Sequence, residues 1–246
     1  MPRPDGSVPD RVVAAGIALA VAGVVVQTAI HLFNGWVLDY KWGALNVTED
    51  ESVFGWASSA ATFGAALAVV LFGFTRRSRM AGPIVLAAII SFLSLDDFIE
   101  LHERVASLWK PLGLWEKADR LVWPAIFMPL LAATFILALR LSAEAGTRIS
   151  RLVRFGLILL VAAVALEIAS EGLYHLGWDD PDLPLVIEAV TEEGAELAGW
   201  VLIATGFFAA ACANLIAIGS SADGWQVPAG PLRSGESVRL ERPSVR

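Results

Sequence analysis

Six stretches of this chain run for about 20 apolar residues each, the length of α-helix that crosses a bilayer core of roughly 30 Å. They extend from Val12 to Phe33, Val53 to Phe74, Ala81 to His102, Val122 to Leu141, Val153 to His175 and Leu185 to Ile218. Of 246 residues, 56% are hydrophobic and 17% charged, with a mean hydropathy of +0.63. A water-soluble domain of this size cannot hide that much apolar surface, so the natural solvent is a lipid bilayer. The pattern predicts an all-α, polytopic transmembrane helical bundle of six spans over residues 12–218. An amino-terminal tail, 1–11, precedes it. The segment 219–246, rich in Gly, Ser, Pro and Arg without helical period, reads as a disordered tail. The first run lacks a small-residue cleavage site and is too long for a signal peptide, so it reads as an anchor. The sixth exceeds one span. Its first part carries Glu188, Glu192, Glu193 and Glu196 and is expected to project outward or to pack against other helices.

Lys and Arg accumulate in cytoplasmic loops of membrane proteins. The amino terminus, the turn around Arg76, Arg77 and Arg79, the segment from Arg140 to Arg154 and the tail together hold 13 of the 18 basic residues and 6 of the 25 acidic ones. Both termini are therefore predicted to be cytoplasmic, in a multi-pass protein of the cell membrane. Tryptophan, which favours membrane interfaces, agrees: eight of the nine lie in outer loops or outer helix ends, and only Trp225 lies in the tail. A net charge of −7 gives no basis for a nucleic-acid partner. The one cysteine, Cys212, excludes a disulfide framework, a paired-cysteine redox motif and a thiolate metal cage. Thr48 with Glu51 reads as a capping box ahead of the second span. Arg104 to Arg120 reads as a surface-lying amphipathic segment, and Asp179, Asp180 and Asp182 as turn and helix-start residues.

The polar residues within the spans are not scattered. Asp96, Glu100 and Glu103 share one face of the third helix, with Asp97 and His102 off that face; Glu167, Glu171 and His175 follow at steps of four, as do Glu188, Glu192 and Glu196. The first span adds Gln27, His31 and Asn34, and the second adds Ser58, Ser59 and Thr62, which read as helix-packing groups. The fourth has no ionisable residue between Val122 and Leu139 and is expected to face lipid. At 1.5 Å per residue, Asp96, Glu100, His31, Glu171, His175 and Glu196 all lie roughly 20 to 35 Å from the cytoplasmic ends. Acids at that depth cost several kcal/mol unless protonated, paired or metal-bound, and basic partners are nearly absent. Imidazole with carboxylate suits Zn, Fe or Mn. The candidate ligands of such a divalent metal are Asp96, Glu103, Glu171, His175, Glu196, His31 and His102. Glu171 and His175, one turn apart, are the strongest pair.

The segment Ser94, Leu95, Asp96, Asp97 through His102 and Glu103, together with Glu192, Glu193, Gly194, Glu196 and Gly199, resembles a pattern of uncharacterised bacterial multi-pass membrane proteins. The resemblance implies that Asp96, His102, Glu103, Glu192 and Glu196 act as a set, and brings no reaction with it. Neither the Glu-x-x-His pairs of di-iron bundles nor His-Glu-x-x-His is present. Three functions fit. One is a metal-dependent enzyme acting on a lipid or other amphiphile at the outer leaflet, with Glu100 or Glu192 as general base. The second is a protein that binds or transports protons or divalent cations without turnover. The third is an accessory subunit whose acids pair with a basic partner.

Overall fold

The computed structural model describes residues 7–47, 49, 51–76, 80–99, 101, 104, 119–178 and 182–222, with the side chains of 119–125, 171, 172, 174, 175, 221 and 222 excepted. The described elements are α1 (Val8–Leu38), a single 3-10 turn (Gly43–Leu45), α2 (Val53–Thr75), α3 (Ala81–Ile99), α4 (Asp119–Glu144), α5 (Thr147–His175) and α6 (Leu183–Ala222). Six of these helices are long and apolar enough to cross a membrane. Large apolar side chains such as Leu19, Phe74, Phe98 and Ile158 are more than half exposed on the outside of the bundle. That surface suits lipid rather than water.

The boundaries differ from the sequence reading at three places. α1 begins at Val8, inside the expected tail, because Pro9 in its first turn has the fixed φ a helix start favours and lacks only a donor that would be unsatisfied anyway. α2 is capped by Ser52, not Thr48, which lies outside the described residues: the Ser52 hydroxyl accepts from the N–H groups of Phe54 and Gly55 at 3.2 and 3.1 Å. α6 runs unbroken for 40 residues, roughly 60 Å at 1.5 Å per residue, so 219–222 are helical rather than part of a tail. Of the expected surface segment between Arg104 and Arg120, residues 105–118 lie outside the described residues, and Asp119 and Arg120 open α4.

α6 is the central post. It packs against α5, α2 and α1, while α3 packs on α2, and α4 lies at the edge against α5 and α3. The core on the arginine-rich half is apolar: Val69, Leu86, Ile90, Val153, Ile203 and Phe207 are almost fully buried, and Phe72 meets Phe207 with ring centroids 5.5 Å apart. Small residues permit the closest approaches. A methyl group on Gly156 would sit 2.7 Å from the Gly199 carbonyl oxygen, and one on Gly199 would sit 2.9 Å from the Gly156 carbonyl oxygen, so α5 and α6 touch backbone to backbone. Gly16 lies against the Thr205 side chain, joining α1 to α6.

These contacts set the register. Gly16 against Thr205, Gly23 against Leu197 and Val24 against Gly194 make α1 antiparallel to α6. Gly156 against Gly199 and Val153 against Gly206 do the same for α5. Thr75 against Asn214, Phe72 against Phe207 and Ser58 beside Glu196 make α2 parallel to α6. The start of α1, the end of α2, the turn between α4 and α5 and the end of α6 therefore share one end of the bundle.

Candidate acid cluster at the end opposite the arginines

The same registers bring polar residues from five helices to one level. On α3, Ser94 donates to the Ser59 carbonyl at 2.8 Å, locking α3 against α2, and the Ser59 hydroxyl donates to Asp97 Oδ2. On α6, the Glu196 carboxylate lies beside the Ser58 hydroxyl and within electrostatic reach of Asp97 and Glu167, and the Trp200 indole N–H donates to it at 3.3 Å. One turn outward, Glu192 is within electrostatic reach of Glu167, Glu188 and Glu193 and in hydrogen-bond contact with Glu188. Asp96 and Glu188 are buried, at 6% and 9% exposure. Ser58 is 2% exposed, and its hydroxyl has no well-formed hydrogen bond among the described residues.

The cluster holds Asp97, Glu167, Glu188, Glu192, Glu193 and Glu196, with Asp96 buried next to Asp97 on α3. None of the helical segments 27–34, 53–62, 88–99, 157–175 and 183–218 contains a Lys or Arg. So many carboxylates on helix faces without a Lys or Arg of their own favour protonation or a bound cation.

α1 contributes a polar face of its own. Gln27, His31 and Asn34 are all at most 3% exposed. The register of α1 on α6 carries Gln27 to the level of Glu192 and His31 to that of Glu188. His31 Nδ1 accepts the Val47 N–H at 3.1 Å, and Asn34 Nδ2 donates to the Trp42 carbonyl at 2.9 Å. The loop after α1 is thereby strapped back onto the helix. Asp39 and Tyr40, both with φ above 50°, turn the chain, and the Tyr40 ring folds across Gly35, 5.6 Å from the His31 ring. Since Nδ1 accepts, the neutral imidazole carries its proton on Nε2, which is buried with no hydrogen-bond partner among the described residues. A ligating histidine has the reverse arrangement, donating its second N–H to an acceptor. In this geometry His31 is a donor and a loop anchor rather than a metal ligand.

Of the other residues expected at the site, the structure brings Glu192 and Glu196 together with Asp97, and buries Asp96 one residue away on α3. Asp97, read from sequence as lying off the acidic face, is within electrostatic reach of Glu196. Where α2 and α6 lie decides this, which the helical wheel of one segment cannot give. Glu100, His102 and Glu103 lie outside the described residues. Glu171 and His175 are on the last turns of α5, with side chains outside the described ones. Among the described residues, no group of three or more His, Cys, Asp or Glu side chains is placed to hold a metal ion. Glu167 and Glu188 belong to the cluster although they are not among the expected ligands; their steps of four toward Glu171 and Glu192 are the signal that they share its face. Ser58 and Ser59 touch the acids as well as packing α2.

Fold and site together define a bundle of membrane-spanning type, with an apolar exterior and an interhelical carboxylate cluster at one end. The profile of one protein family, Domain of unknown function (DUF8692), matches residues 11–211, which takes in all six helices. The chain belongs to that family. No curated protein and no solved structure matches it.

Proposed function

We propose that this is a multi-pass membrane protein with both termini in the cytoplasm, and that its acid cluster binds a cation near the non-cytoplasmic face. The arginines at the opposite end, Arg76, Arg140, Arg148, Arg151 and Arg154, support that orientation. The observation that carries the binding reading is the convergence of Glu188, Glu192 and Glu193 of α6 with Glu167 of α5, on helix segments that carry no Lys or Arg. Carboxyl groups gathered in this way are eased by protons, and a divalent ion can take the place of protons on the same oxygens. Protons and a Zn, Mn or Fe ion thus compete for one set of oxygens, and Glu171 and His175, at the outer end of α5, are the residues that would complete a metal shell.

Three features favour a site open to one side over a conducting path. The cluster lies at one end, the half of the bundle toward the arginines is filled by Phe72, Phe207, Val153 and Ile203, and the helices close on one another there through glycine. The test is thermal unfolding of the full chain in phosphatidylcholine nanodiscs, with zinc or manganese chloride titrated at two pH values. The expected result is a saturable rise in Tm that needs more cation at the lower pH, since protons then hold the carboxylates. A Tm that does not respond to either ion at either pH overturns the proposal.

A further inference from the structure

A second polar site lies at the other end of the bundle. A cavity of about 340 Å³ opens between the start of α1, the end of α2, the turn from α4 to α5 and the last turns of α6. Its polar lining is Arg76, Glu144, Arg148 and Asn214, over a floor of Ala209, Ala210 and Ala213. Arg76 pairs with Glu144 through Nη2, and its guanidinium stacks on Phe72 at 5.4 Å. Only 12% of the Arg76 side chain is exposed, and its Nη1 is buried with no hydrogen-bond partner among the described residues. Arg148 pairs with Asp10 and remains 64% exposed at the mouth.

Arg76 lines the cavity, and a guanidinium nitrogen buried with its donors unused is costly unless an acceptor comes to it. Two arginines, each with one edge of its fork occupied by a carboxylate, have the other edge left, and planar forks of this kind match the oxygens of a phosphate group. The two carboxylates present do not close the site to an anion. Glu144 and Asp10 are 52% and 42% exposed and can turn to water, whereas Arg76 is held by its stacking on Phe72. Arg140, Arg151 and Arg154 are exposed and do not line the cavity. We infer that this cavity binds the phosphate group of an anionic phospholipid headgroup, taken from the leaflet on the arginine-rich side. Headgroups lie at that depth, where the helices leave the apolar core, and anionic lipids concentrate in the cytoplasmic leaflet. The site is independent of the acid cluster.

The test is Tm of the full chain in nanodiscs of pure phosphatidylcholine against nanodiscs containing phosphatidylglycerol, with inorganic phosphate titrated into the former as a separate arm. A rise with phosphatidylglycerol is expected, absent with inorganic phosphate at comparable occupancy. It should be lost in Arg148→Gln, reduced in Arg76→Lys, which keeps the charge but not the fork, and retained in Arg140→Gln and Arg154→Gln. Arg148 is exposed, so its substitution tests the site without endangering the fold. An equal rise with inorganic phosphate overturns the lipid source. A rise that is missing altogether, or that falls alike in all four variants, overturns the site.

Discussion

Gly156→Leu is expected to prevent the bundle from assembling. The first carbon of any side chain at this position would lie 2.7 Å from the Gly199 carbonyl oxygen and 2.9 Å from the Ile203 side chain. Overpacking a well-filled interior costs about 1–3 kcal/mol when side chains can give way. Here the nearest neighbour is backbone on the central helix, so α5 itself would have to move from α6, separating Val153 from Gly206 and Glu167 from Glu192. Size-exclusion chromatography of the detergent extract should show aggregate in place of a single species. Gly64→Leu is the matching control, with nothing within 4 Å of its added carbon, and should leave the elution profile unchanged. A well-behaved Gly156→Leu protein with the parent's Tm would contradict the backbone contact between α5 and α6.

The second large effect is expected from the pair Glu192→Gln and Glu196→Gln. Without added cation the double variant should unfold at or above the parent's temperature. An amide keeps the size and hydrogen-bonding capacity of the carboxyl but carries no charge that needs offsetting in a water-poor site. With cation the order should reverse. A bound ion at a hundred times its Kd stabilises by about 2.7 kcal/mol, and the variant should forgo nearly all of that. The same measurement separates binding from a purely structural network: if Glu192 and Glu196 only hold helices together, the variant should be less stable than the parent in every condition.

Much of the architecture was legible in the sequence because each span carries its own signal. Twenty apolar residues between Val53 and Phe74 identify α2 without reference to any other segment, and the arginine bias between the loops is equally local. Ends were less legible. Thr48 with Glu51 matches a capping pattern, yet Ser52 stands immediately before the helix and caps it. Gly219 looks like the start of a tail, yet α6 continues to Ala222.

The site was legible as a composition and a depth, not as an arrangement. The steps of four through Glu188, Glu192 and Glu196 show that these acids share a face, and Gln27 and His31 share another. Which faces meet is decided by Gly16, Gly156 and Gly199, whose contacts set the registers between helices far apart in sequence. That is how Asp97, off the acidic face of its own helix, comes within electrostatic reach of Glu196. His31 illustrates the same limit. Its Nδ1 accepts a hydrogen bond from Val47, 16 residues away across a loop, and no spacing rule within α1 reports it.

The most direct test of the central claim, that the acid cluster takes up a cation by trading protons for it, is the number of protons released on binding. Zinc or manganese is titrated calorimetrically into the full-length protein at fixed pH, in two buffers of different ionisation enthalpy. The account predicts saturable binding with net proton release to the buffer, absent in the Glu192→Gln, Glu196→Gln protein. Binding that releases no protons, or whose proton release is unchanged in that variant, would contradict it.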